Sequence, residues 1–173
     1  AGFGLNGDFW ETPLDAELNM VEVQIPAMLK LTKELLPGML ARHKGRILNV
    51  ASVYGFAAAP HQAVYGACKA FLLSFSTALA EETRGTGVTV TTLCPGVTQT
   101  EFRSRAGIAE KNKAAGVTAD AVAKLAVDDT LRGDTVVIPR FINKIFVFGV
   151  RHLPIRIVAR VVKFINRQRG VNE

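Results

Sequence analysis

From Thr12 to Arg42 the apolar residues recur at helical spacing, through Leu18, Val21, Ile25, Leu29, Leu36 and Leu40. Thr12 is placed to cap this helix, Pro13 suits its first position and Asp15 favours its positive end. Pro26 and Pro37 are expected to kink or divide it. The mostly apolar run Arg46 to Ala51 follows Gly45 and has the character of a buried parallel strand. A loop with Gly55 and Pro60 leads to a second helix, Ala63 to Arg84, which Gly85 and Gly87 end. Val88 to Cys94 is β-branched enough for a second strand, halted by Pro95-Gly96. Residues 97–117 have no clear period and form a candidate mobile loop. A third helix is expected from Ala119 to Leu131 behind a Thr118 cap, then a third strand from Asp134 to Pro139. Helix and strand alternate throughout, which predicts an α/β fold with a parallel sheet. Three strands make a thin, incomplete sheet.

Charge divides the chain where the pattern does. The 173 residues carry a net charge of +6. Residues 1–139 hold 13 Lys+Arg against 14 Asp+Glu, whereas residues 140–173 hold 8 basic residues against Glu173 alone. The near-neutral body, 1–139, is therefore distinct from an apolar, basic helical tail, 140–173. A body without net positive charge or a stacking-aromatic platform argues against a nucleic-acid module. With 49% hydrophobic residues the chain is neither disordered nor a disulfide scaffold. No run reaches the ~18–20 uninterrupted apolar residues of a conventional membrane span. Cys68 and Cys94 are read as partly buried free thiols, and no spacing suggests a metal site.

Gly2-Phe-Gly4-Leu-Asn-Gly7 spells GxGxxG, but no strand precedes it within the chain and Asp8 to Thr12 separate it from the helix. The strand that follows ends in Ala51-Ser52 rather than in an acid for the ribose. The match is rejected as a dinucleotide fingerprint.

Tyr65 and Lys69 are four residues apart, so a helix presents them on one face. An ammonium close to a phenol would lower its pKa toward a useful acid/base range. Ser52 closes the first strand at the C-terminal edge of the sheet, where α/β folds hold their reactive groups. Its hydroxyl could support an oxygen on which charge develops. A Tyr-x-x-x-Lys pair alone also occurs on exposed helices by chance.

The neighbouring residues narrow the choice. Ala1 to about Pro139 resembles the C-terminal two-thirds of the short-chain dehydrogenase/reductase family. Ala1-Gly2 is similar to the end of its Asn-Asn-Ala-Gly turn, and Gly45 to Ser52 to its strand ending in the active-site serine. Tyr65-Gly-Ala-Cys-Lys69 is similar to its Tyr-x-x-x-Lys, thirteen residues after the serine. Pro95-Gly96-Val-Thr-Gln-Thr100 is similar to its Pro-Gly segment beside the nicotinamide.

The resemblance implies a Rossmann-like doubly wound sheet and an NAD(P)-dependent oxidoreductase interconverting a carbonyl and an alcohol. A Ser-Tyr-Lys triad would then comprise Tyr65 as acid/base, Lys69 lowering its pKa and binding the ribose, and Ser52 polarising the substrate oxygen. Gly2, Pro95, Gly96, Thr98 and Thr100 would join Tyr65 and Lys69 in holding NAD or NADP. The family's phosphate-binding loop is expected upstream of Ala1, so the preference between the two cofactors is not legible. Gln24 stands where the family usually has an asparagine that supports a proton relay to the lysine. One added methylene would disturb such a relay, and Gln24→Asn would raise kcat; the alternative is a tolerated amide facing solvent or Lys69. An inactive or weakly active cofactor-binding scaffold is the competing function. The resemblance also implies a homo-dimer or tetramer in the cytoplasm.

Arg103 and Arg105 are placed to meet an anionic substrate or simply to be solvated, and His61 is expected on a surface loop. If 155–168 is helical, Arg156, Arg160, Lys163 and Arg167 form one narrow stripe and apolar residues cover most of the rest. Such a helix suits either an interfacial membrane contact or packing over a substrate pocket or subunit interface. The membrane reading would favour lipophilic carbonyls or alcohols.

Overall fold

The computed structural model describes residues 2–100, 102, 106 and 116–168. Helix α1 spans Leu14–Gln24 and α2 spans Pro26–Ala41, so the long amphipathic segment divides at Ile25. Pro26 takes the first position of α2, where its missing N–H costs nothing. Pro37 does not break α2: it lies on the exposed side, where the carbonyl it leaves unbonded meets water. The cap expected from Thr12 is absent because α1 starts one residue late and Pro13 holds the cap position. Thr12 Oγ1 instead donates to Phe9 O at 3.2 Å and to Glu17 Oε1 at 2.9 Å.

Strands β1 (Gly45–Val50) and β2 (Val88–Leu93) run parallel, with Ile47 opposite Val90. Between them Val53–Phe56 form a single 3-10 turn and α3 spans Ala63–Glu82. Two-residue strands β3 (Thr98–Gln99) and β4 (Val117–Thr118) pair with each other, closing the ends of the segment expected to be a mobile loop. Helix α4 (Ala119–Arg132) begins at the expected cap, Thr118, whose side chain accepts from Ala121 N at 3.4 Å. Gly133, at φ +84°, ends it in the left-handed conformation that glycine adopts without steric cost.

The third strand, β5, is confined to Val136–Val137 rather than reaching Pro139, which has no N–H to offer a ladder. It completes the parallel order β1-β2-β5. Every residue of β2 but Thr89 is buried, as a central strand covered on both faces requires. One core unites Leu93, Val122, Ala126 and Val137; another unites Ala51, Leu72 and Cys94 with Met28 and Phe56. Cys68 and Cys94 are buried free thiols.

By length and composition α3 alone among the described helices could cross a bilayer, with mean hydropathy 1.4 over its most apolar window. Here it packs on the sheet, burying Tyr65, Cys68, Lys69, Leu72, Ser76 and Leu79, with Asn49 Nδ2 donating to Ser76 Oγ at 2.9 Å. The tail forms α5 (Phe141–His152) and α6 (Ile155–Gln168).

Candidate active site

Ser52 follows the last residue of β1 and is held there by two backbone bonds that flank it. Ala51 N donates to Leu93 O at 2.8 Å and Val53 N donates to Pro95 O at 3.0 Å. The serine therefore sits on the floor of a crevice between β1 and β2, beside Pro95-Gly96. Its Oγ accepts from Tyr54 N at 3.2 Å, capping the 3-10 turn. Tyr65 and Lys69 lie one turn apart on the buried face of α3, and the Ser52 side chain is near enough to the Tyr65 phenol to pull its pKa down. Lys69 Nζ donates to Val50 O at 2.9 Å and stands 5.5 Å from the centre of the Tyr65 ring.

The acidity of Tyr65 departs from expectation. Burial pushes its phenol up to about 12, against a smaller downward pull from the Ser52 side chain. Lys69 does not offset this, because its ammonium is directed at Val50 O and is itself desolvated. Burial lowers Lys69 to about 8.

All of these groups line one cavity of about 1030 Å³, together with Gly2, Pro95, Gly96, Thr98 and Thr100. Thr98 Oγ1 donates to Gly96 O at 3.3 Å and Thr100 Oγ1 accepts from Phe102 N at 3.3 Å. The Phe102 ring lies 5.4 Å from that of Tyr65, tilted by 48°.

Gln24 is the predicted site residue that does not line the cavity. It is buried, neither solvent-facing nor bonded to Lys69, and its Nε2 donates to Phe3 O at 3.0 Å. The extra methylene carries the amide to the N-terminal loop, which it ties beside Gly2. His61 is likewise not a surface histidine: its side chain is 7% exposed, and Nδ1 lies 3.0 Å from Asp8 Oδ1. Arg103 and Arg105 lie outside the described residues.

Three site residues were not anticipated. Tyr54 and Asn166 meet in the cavity wall: the Tyr54 hydroxyl donates to Asn166 Oδ1 at 2.5 Å, and Asn166 Nδ2 donates to Pro60 O at 2.9 Å. Asn143 Nδ2 donates to Pro139 O at 2.6 Å, and its amide fills the space over Gly96. A signal was available. Phe-Ile-Asn occurs twice in the tail, at 141–143 and 164–166, and an amide within an apolar helix needs a partner. The inner sides of α5 and α6, including Ile142, Phe146, Val162 and Ile165, complete the cavity wall.

Residues 1–111 match the family model for short chain dehydrogenase. The chain belongs to the short-chain dehydrogenase family. Among its curated relatives are the ketoacyl reductase HetN of Nostoc sp., 39% identical over 101 residues, and a very-long-chain 3-oxoacyl-CoA reductase of Laccaria bicolor, 43% identical over 82 residues. These alignments take in 58% and 47% of this chain but 35% and 24% of the relatives, so the chain spans about a third or less of their length. A solved 7β-hydroxysteroid dehydrogenase superposes on 94% of the chain with TM-score 0.80 and 25% identity, and 64% of that protein is covered. A short-chain dehydrogenase from Sphingobium yanoikuyae in complex with NADPH covers the whole chain with TM-score 0.76 and 25% identity, the chain matching 64% of it. The α/β architecture with its parallel sheet is thus that of short-chain dehydrogenases, and such neighbours bind NADP.

The donor set in this chain fits a nicotinamide dinucleotide. Lys69 Nζ donates to Val50 O and lines the cavity, which leaves ammonium donors suited to ribose hydroxyls. Gly2, Pro95, Gly96, Thr98 and Thr100 line the same cavity.

Proposed function

We propose that this chain is the catalytic portion of an NAD(P)-dependent oxidoreductase that interconverts a carbonyl and an alcohol. The observation that carries the reading is the meeting of Ser52, Tyr65 and Lys69 in the wall of one largely apolar cavity. When bound, NAD or NADP supplies or takes up the hydride. Tyr65 gives its proton to the carbonyl oxygen in reduction and recovers it in oxidation. A phenol held near 12 stays protonated at neutral pH, which suits the acid role. Ser52 Oγ hydrogen-bonds the same oxygen as it gains charge. Lys69, anchored at Val50 O, orients the ribose. Gly2, Pro95, Gly96, Thr98 and Thr100 hold the nicotinamide end.

The apolar inner sides of α5 and α6 favour a lipophilic substrate, of the acyl or steroid-like kind that the relatives' names indicate. The working form is proposed to be a homo-dimer or tetramer, cytoplasmic and peripheral to a membrane. Tyr65→Phe in the intact protein is expected to lose nearly all turnover while NADPH or NADH still binds, measured by fluorescence titration. Retention of most of kcat would refute the assignment. Cofactor binding by the wild type without turnover on any carbonyl would favour the scaffold alternative.

A further inference from the structure

Helix α6 has three sides. Val158, Val162 and Asn166, spaced by four, are 4%, 1% and 2% exposed and dock the helix on the body. Arg156, Arg160, Lys163 and Arg167 form a second stripe, all exposed and without an ion-pair partner among the described residues. Ile157, Val161 and Phe164 form a third, at 45%, 45% and 63% exposure. The inner stripe fixes the rotation of the helix, so the other two are obliged to face outward. Helix α5 repeats the pattern: Val147 is buried, whereas Phe141 and Phe148 project on the same helix as the exposed Lys144. No acidic residue occurs between Asp134 and Glu173.

We propose that the outer sides of α5 and α6 are a docking surface for an anionic lipid bilayer. Phe141, Phe148, Ile157, Val161 and Phe164 would enter the headgroup boundary, while the stripe from Arg156 to Arg167 meets the lipid phosphates. Charge decides the occupant. Self-association through this face would bring two cationic stripes together, which is repulsive, whereas an anionic leaflet is complementary to both. The two helices also form the cavity wall with their inner sides, through Ile142, Phe146, Val162 and Ile165. A lipophilic carbonyl dissolved in the bilayer therefore has only the thickness of this helix pair between itself and Tyr65. That last step rests on the proposed oxidoreductase reading; the docking itself rests on the tail alone.

The test is co-sedimentation of the full-length protein with phosphatidylcholine vesicles, with and without about a third of phosphatidylglycerol. Binding to the anionic vesicles is expected, weakening as salt rises. Arg160→Glu with Lys163→Glu should reduce it by about tenfold or more, and Phe148→Ser with Phe164→Ser should also release the protein. Thermal unfolding and turnover of a water-soluble carbonyl should be unchanged in both variants, since none of the four residues reaches the cavity. Equal recovery in the presence and absence of vesicles overturns the proposal. So does a serine variant that changes the oligomeric mass by light scattering but not lipid binding, which would mark a subunit interface. Tyr65→Phe should bind vesicles like the wild type, so loss of the catalytic reading and loss of docking give different results.

Discussion

The Tyr54 hydroxyl donates a 2.5 Å hydrogen bond to Asn166 Oδ1, joining residues 112 apart in sequence. Asn166 also donates to Pro60 O, so one buried amide of the tail ties together two points of the segment between Ser52 and Tyr65. With its hydroxyl occupied, Tyr54 presents mainly ring to the cavity. Asn166→Leu leaves the hydroxyl and the Pro60 carbonyl without their partner, at a cost of about 1–3 kcal/mol. The expected signature is a several-fold rise in KM for a bulky lipophilic carbonyl, with kcat on a small ketone nearly unchanged. Adding Tyr54→Phe should recover part of the stability, because one orphaned group is then removed. A purely structural role would lower both rates together.

Four buried groups make stability depend on alkaline pH. Lys69 titrates near 8 in the fold against 10.5 when exposed, so above pH 8 the unfolded chain binds the extra proton and stability rises with pH. Burial raises Cys68 and Cys94 above 9.0, Cys94 to about 12, and raises Tyr65 from 10.0 to about 12. Each of these keeps its proton longer in the fold, so stability falls once the unfolded group begins to ionise. The cofactor-free protein should therefore be most resistant to urea near pH 9. Lys69→Met should abolish the rise between pH 8 and pH 9 and leave the decline above it.

Much of this was legible because it depends on local pattern. Strand β1, helix α3 and strand β2 follow from periodicity, and the Ser52–Tyr65–Lys69 spacing needs only a strand end and one helical turn to converge. The acidity of Tyr65 was not legible: the sign depends on how deeply the folded chain buries the phenol, and spacing says nothing about burial. Asn166 escaped for a similar reason. Its partners, Tyr54 and Pro60, are distant in the chain, and a basic amphipathic pattern directs attention to the outer faces of α6 rather than to one amide on its inner side. Gln24 shows that a position read from sequence does not fix its contact, since the amide donates to Phe3 O rather than meeting Lys69.

That contact makes a prediction for Gln24→Asn opposite to relay restoration. The shortened amide withdraws from Phe3 O and loosens the loop carrying Gly2, which lines the cavity. One lost hydrogen bond of about 1 kcal/mol corresponds to roughly a fivefold weaker hold on the cofactor. Cofactor Kd should rise by about that factor with kcat nearly constant. A rise in kcat would instead restore the relay interpretation.

Gly96 is required by a side chain of the tail rather than by backbone strain. A Cβ added there would lie 2.6 Å from Asn143 Oδ1 and 2.7 Å from Nδ2. Its backbone is not in the positive-φ region, so the collision is the main penalty. In Gly96→Ala the amide must swing away, which breaks its 2.6 Å bond to Pro139 O at the start of α5. The expected loss is about 1–2 kcal/mol, accompanied by weaker cofactor binding where Pro95-Gly96 lines the cavity. Asn143→Ala removes the obstacle together with the bond, so adding Gly96→Ala to that background should cost little more. A double-mutant cycle on urea unfolding reads the difference directly. Strict additivity would place the penalty in the backbone of Gly96 and detach the tail amide from the cofactor side of the cavity.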